Sequence, residues 1–359
     1  INELKELAPD LPLKWDSDNS GRATQKAAYG LLSRVALYAE KWDIAAQAAR
    51  DCATAEGNLD LSENGYAKIF ELGINSPEVL FAVEFKSSVI DHAYDAYVRP
   101  SGDTKELGKQ VYSGFVPTSE LVDSYEMAGD GGNFSWEKHG KDPYANREPR
   151  FYATILYNGA DWMGRKIESF VGGKDGYKAY ENAGAAGTTV TGYYLRKYLI
   201  DGDKTWVTSG SGQDWIVLRY AEVLLNKAEA LAMENWNKNS AEALQALNDV
   251  RARVGLPARA TADKETFLEY VRHERKVELA GEGFRYWDLR RWRLAEKVID
   301  GQNVHGVKIS KQSDGSFTYE QVDADGGHKR IFYDRYYRFA IPLSERSNNS
   351  LCTNNDGWI

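Results

Sequence analysis

Cysteine is almost absent from this chain: Cys52 and Cys352 are the only two in 359 residues. They stand far apart with no C-x-x-C, so neither a disulfide framework nor the sulfur ligands of a zinc site are indicated, and the count leaves the redox compartment open. Histidine is nearly as scarce. His92, His139, His273, His305 and His328 are isolated from one another, which suits surface or hydrogen-bonded residues better than metal ligands or a catalytic base. No stretch approaches the roughly 20 apolar residues that a membrane span needs. The chain starts at Ile1 without a basic and apolar leader, and is read as a processed or trimmed product. Basic excess is missing as well. A net charge of −8 and a pI of about 5.4 argue against a phosphate-backbone binder, whose affinity comes from clustered Lys and Arg, so nucleic acid is not an expected partner. The common enzyme signatures, G-x-S-x-G, G-x-x-x-x-G-K-[ST] and a G-x-G-x-x-G after a strand, are absent too.

What the chain has in quantity is aromatic surface, with 10 Trp and 22 Tyr. Such rings fill cores, and on loops they supply broad, rigid, amphipathic contact faces. The length admits one large domain or two ordinary ones. Over residues 21–55 the spacing is helical: Ala28, Leu31, Leu32, Val35, Ala36 and Ala39 recur at i, i+3, i+4, i+7, i+8 and i+11. After Lys41-Trp42-Asp43 a second, Ala-rich run passes through Ala45, Ala46, Ala48, Ala49 and Cys52. Small residues let helices approach closely, so an antiparallel pair of the tetratricopeptide kind is expected. The pattern returns in an apolar stripe from Val217 through Tyr220, Leu224, Leu225, Ala228 and Leu231 to Ala232. Ser240 is expected to cap the following helix, which stops at Gly255-Leu256-Pro257. A further helix is expected from about Thr261 or Lys264 to Gly281, and a short one over 287–297.

Between Gly57 and Gly212 the chain changes character, with Gly and Asn clusters at 129–133 and 181–189. The runs VLFAVEF (79–85) and FYATILY (151–157) read as short strands. Long irregular segments inside a helical framework are where binding chemistry is expected.

Residues 272–292, RHERKVELAGEGFRYWDLRRW, mix acids, cations and aromatics. Glu274, Glu278 and Glu282 fall four apart on one helical face, a repulsive spacing unless cations sit among them. Arg275 is adjacent, and Arg285, Arg290, Arg291 and Arg293 follow the Gly281/Gly283 break. Guanidinium groups bridge carboxylates and stack on rings such as Trp287 or Trp292, so a local ion-pair and aromatic framework is the favoured reading. A metal site does not fit, because His273-Glu274 has no second His four positions later. Paired-carboxylate hydrolysis is the lesser alternative, since its two acids can come from anywhere in a chain.

Eight ordered blocks carry a family likeness: GRATQKAAYGLLSRVALYAEKWDIAA (21–46), VPTSELVDSYEMAGDGG (116–132), NREPRFYATI (146–155), TGYYLRKY (191–198), DWIVLRYAEVLLNKAEA (214–230), ALNDVRARVGL (246–256), HERKVELAGEGFRYWDLRRW (273–292), and YYRFAIPLSE with NNDGW at the end. Together they resemble the SusD/RagB family. The resemblance implies a mainly α fold of tetratricopeptide-like helix pairs with long irregular loops and a few short strands. It implies a single SusD-like domain over 1–359, with helical framework near 21–55 and 214–297 and a loop-rich ligand-binding portion near 57–213. In function it implies a non-catalytic outer-membrane lipoprotein of Bacteroidota. Such a protein captures oligo- or polysaccharide on the outer surface and passes it to a SusC-like TonB-dependent transporter. The family's leader, acylated Cys and further helices precede the GRAT block, so the lipid anchor is absent from this chain. The closing SERSNNSLCTNNDGW departs from the family's usual phrasing.

The resemblance further implies that ligand contacts come from loops, where Tyr and Trp faces suit the apolar face of a pyranose. The segment after VLFAVEF holds Asp91, His92, Tyr94, Tyr97 and Arg99, the first choice for ligand contact. Trp136 is a second choice, and Trp162 is read as a core residue beside a strand end. No catalytic residue, metal ligand or cofactor is assigned, and a structural calcium ion is left open. A peptide-binding RagB-like lid, favoured by the acidic surface, and a tetratricopeptide interaction scaffold are the alternatives.

Overall fold

A computed structural model describes residues 1–179 and 188–358; the Gly- and Asn-rich stretch at 181–187 lies outside them. Helices predominate over short strands among the described residues, as expected. The first expected pair is present as α1 (Gln25–Tyr38) and α2 (Trp42–Thr54). Its facing surfaces are made of small residues: Ala36, Ala45, Ala46 and Ala49 are each 2% exposed or less. That close approach lets both helices share one core.

Strand β1 (Val79–Val83) follows, then one turn of helix, α3 (Tyr94–Val98). The run 151–157 corrects its expected strand. Helix α4 occupies Pro149–Thr154, and only Ile155–Leu156 are extended. Pro149 at the first helical position presets the backbone for a helix, and the turn carries Arg150 into the interior.

The expected helical stripe from Val217 is likewise corrected at its start. Trp215–Arg219 form strand β2, paired antiparallel with β1, so that Val83 lies opposite Trp215. Helix begins only at Tyr220 and runs as α5 (Tyr220–Arg253), broken at Asn235, whose backbone is non-helical. The Asn235 Oδ1 accepts the Lys238 N–H at 3.2 Å. Asn235 therefore caps the second half, the role expected of Ser240, five residues later. The two halves of α5 pack Leu224, Leu225, Ala228, Leu231, Leu247 and Val250 against α1 and α2.

Helix α6 (Lys264–Glu278) adds Phe267, Leu268 and Val271 to that core, and Asp263 caps it by accepting the Thr266 N–H at 2.7 Å. The short helix expected over 287–297 is two pieces: α7 (Arg285–Arg291) and a turn at Ala295–Ile299. A hairpin that the sequence reading did not anticipate closes the fold. Strands β3 (His305–Lys311) and β4 (Phe317–Asp323) pair in regular register, and Val307 and Ile309 pack against Phe151 and Tyr193.

Candidate functional site

The acidic face of 272–292 is buried rather than open. Glu274 and Glu278 are 1% and 0% exposed, and the side chain of Glu282 is 3% exposed. Their partners come from far along the chain. Arg150 of α4 reaches Glu148, Glu274 and Glu278 at 2.6, 2.5 and 3.0 Å. Arg219, at the end of β2, reaches Glu78, Glu278 and Glu282 at 2.9, 2.6 and 2.7 Å. Arg253, at the end of α5, pairs with Glu278 and with Glu78, while Arg251 joins Glu126 to Glu274. Lys197 closes the edge on Glu282 at 2.7 Å.

The expected local partners are thereby corrected. Arg275 and Arg291 meet at Asp288, each at 2.8 Å, and Arg291 also holds Glu229. Arg290 lies over the Tyr286 ring, and Arg293 lies over the Tyr337 ring and approaches Asp334 at 3.8 Å. The reason is geometric: α6 turns its glutamates inward, where β2, α4 and the end of α5 present arginines, while α7 faces the other side of the bend.

Burial alone would raise the Glu278 carboxyl, but Arg253, Arg219 and Arg150 outweigh it and hold the group well below its usual range. Glu282 is lowered in the same way, burial being overcome by Arg219 and Lys197. Burial pulls Lys197 down to about 8 against the attraction of Glu282. The web pairs Glu274, Glu278 and Glu282 with arginines and a lysine from other elements and so binds those elements together.

The aromatic loop does build a surface site. Val83, Phe85, His92, Ala93, Tyr94, Tyr97 and Trp215 line a groove of about 370 Å³. Its floor is the end of the β1–β2 ribbon. Trp215 lies nearly parallel to Tyr198, with centroids 4.9 Å apart at 15°. Tyr198 is 3% exposed beneath it, whereas Trp215 keeps 37% of its surface, so the indole's outer face is turned to solvent. Beside it Tyr97, 48% exposed, stacks on Tyr112 at 5.1 Å.

His92 is pinned into this wall from both sides. Its backbone exchanges hydrogen bonds with Ser211, its Nε2 lies 2.8 Å from the Gln213 carbonyl, and its Nδ1 accepts the Tyr94 N–H at 3.3 Å. Those partners assign the ring proton to Nε2. Tyr94 donates its hydroxyl to the Lys197 carbonyl at 2.9 Å and presents its ring edge to Trp215 at 5.8 Å. Burial, with Asp95 adding to it, pushes that hydroxyl's pKa upward.

His92, Tyr94 and Tyr97 are thus brought together, and the other expected residues are not. Asp91 is exposed and lies against Gly210, where a Cβ would collide with its carboxylate. Gly210 has φ of +77°, so glycine meets both demands there. Arg99 is corrected: it is 0% exposed, bonded to Asp95 at 2.8 Å and Asp103 at 3.5 Å, with Trp206 and Trp162 over its guanidinium. A ligand cannot reach it. Trp136 donates to Asp123 at 2.9 Å and packs by Phe134 and Tyr319, in a cluster separate from the groove. Trp162 is 0% exposed and donates to Asp103, as a core residue would. Phe85 and Trp215 were not singled out from sequence; their signal is the strand register that sets Trp215 beside Val83.

Among the described residues no group of three or more His, Cys, Asp or Glu is placed to hold a metal ion, and no helix is long and apolar enough to cross a membrane.

Comparison with known proteins gives one consistent answer. The model of the SusD family matches residues 77–358. A SusD-like protein of Formosa agariphila is 32% identical over 133 residues, which are 34% of this chain and only 25% of that relative's length. A solved SusD-like protein from Bacteroides fragilis superposes with a TM-score of 0.82 at 26% identity, covering 99% of this chain and 70% of its own. A SusD-like carbohydrate binding protein from the same organism gives 0.78 at 26% identity, over 97% of this chain and 69% of its own.

Proposed function

The chain belongs to the SusD family, and from that premise we propose that it binds oligo- or polysaccharide and does not cleave it. It does so at the outer surface of the outer membrane, as a lipid-anchored protein, and delivers the glycan to a SusC-like TonB-dependent transporter. The observation that carries the reading is the outward face of Trp215, backed by the buried Tyr198 and flanked by Tyr97. A flat, rigid, amphipathic ring pinned from behind suits the C–H face of a pyranose. Residues 1–359 act as one domain, because Arg150 and Glu78 of the irregular middle portion are tied to Glu274, and to Arg219 and Arg253, of the helical framework.

Affinity electrophoresis of the purified chain against a polysaccharide panel, with a reducing-end assay on the same mixtures, tests this. Reversible retardation without new reducing ends is the expected result. Release of reducing ends contradicts it, and retention of peptides with no polysaccharide retarded moves the protein to the peptide-binding reading.

A further inference from the structure

The glycan's chemical class is narrowed by what the groove lacks, an inference that rests on the glycan-binding reading above. We propose that the groove takes uncharged saccharide rings and rejects uronate and sulfated glycans. None of its lining residues is Lys or Arg. Arg99, two residues beyond Tyr97, is buried between Asp95 and Asp103, and Lys197, whose carbonyl takes the Tyr94 hydroxyl, is held by Glu282. On the flanking segment the exposed charges are Glu84 and Asp91 against Lys86 alone. An anion stripped of water against these rings finds no cation among the lining residues, Lys86 beside them is outnumbered by Glu84 and Asp91, and the net charge of −8 adds long-range repulsion.

The polar atoms point to the same class. Both ring nitrogens of His92 and the Tyr94 hydroxyl are engaged by the protein. That leaves the Tyr97 hydroxyl and the Trp215 indole N–H as the lining side-chain groups with no hydrogen-bond partner among the described residues. Both are neutral donors of the kind that meet sugar hydroxyls. The stacked Trp215 face and the Tyr97–Tyr112 pair supply the rest as C–H contact.

The test runs the full chain, Trp215→Ala and Tyr97→Ala through native gels. The gels contain neutral polysaccharides (β-glucan, xylan, galactomannan) or anionic ones (polygalacturonate, alginate, a sulfated galactan), at low and high salt. Thermal melts accompany the gels, and Tyr97→Ala stands in if Trp215→Ala does not fold. The expected result is retardation by at least one neutral polysaccharide and by no anionic one, insensitive to salt and weakened about tenfold or more in the variants. Retardation by a polyanion that disappears in Trp215→Ala overturns the uncharged class while the glycan-binding reading stands. Neutral retardation that survives both variants overturns the assignment to this groove. No retardation by any polysaccharide overturns the glycan-binding reading and this inference with it.

Discussion

Replacing Glu278 by Gln is the sharpest perturbation of the framework. The side chain is fully buried and joins Arg150, Arg219 and Arg253, which come from three separate parts of the chain. The amide keeps the shape but removes the charge and turns a donor toward guanidinium groups that need acceptors. Breaking a buried pair in this way costs about 3–5 kcal/mol. Arg150 and Arg219 each keep two other carboxylates and Arg253 keeps Glu78, which holds the loss near that range rather than three times it. For 359 residues the unfolding entropy is about 0.75 kcal/mol/K, so the melt should fall by about 4–7 °C at neutral pH. Glu345→Gln, at an exposed position, is the control and should lie within about 0.5 kcal/mol of the parent. The pH dependence has a definite sign. The Glu278 carboxyl is depressed in the folded state, so its stabilisation is complete above the ordinary value of 4.5 and is lost as pH falls through the depressed one. The gap between parent and Glu278→Gln should therefore shrink in acid. Differential scanning calorimetry at neutral and acid pH reads both effects. A Glu278→Gln melt that coincides with the control refutes the argument.

Three other outcomes are expected. Arg99→Ala leaves Asp95 buried without its cation, while Asp103 keeps Arg165 at 2.7 Å, and should lower stability by about 3–5 kcal/mol in urea unfolding, whereas an unchanged midpoint would place Arg99 outside the framework. Trp136→Phe removes the hydrogen bond to Asp123, should cost about 0.5–1.5 kcal/mol, and should leave polysaccharide retardation unchanged; a loss of binding would draw the site toward the Tyr319 cluster. Burial, assisted by Arg285, pulls Lys276 down to about 8, as burial does Lys197. The unfolded chain then binds more protons than the folded one between those values and the ordinary 10.5, so urea midpoints should rise with pH above about 8. Lys276→Met should flatten that rise, and an equal slope in the variant would contradict it.

The helical framework was legible because its signals are local. Small and aliphatic residues at helical spacing mark α1 and α2, and Asp263 marks the start of α6 by side-chain chemistry alone. Where tertiary partners decide, the reading slipped. WIVLR joins a helical stripe by composition, yet pairing with β1 makes it a strand. FYATILY has strand-like residues, yet the burial of Arg150 draws its first half into α4. The ion web was readable as a need for cations, but the cations that hold Glu274, Glu278 and Glu282 lie 23 to 128 residues away from them, a distance no local pattern encodes. In the site, His92, Tyr94 and Tyr97 stood out as aromatic residues on one loop. Arg99 looked like their neighbour, although Asp95 and Asp103, four residues to either side, already gave the sign of an internal ion pair. Trp215 depends on a cross-strand register and was hidden among framework residues.

The most direct measurement is a crystal structure of the chain soaked with an oligosaccharide cut from whichever polysaccharide retards it. The expected result is a sugar ring lying flat on the outer face of Trp215, with Tyr97 in contact. A saccharide seated elsewhere, with the Trp215 face bare, would contradict the assignment.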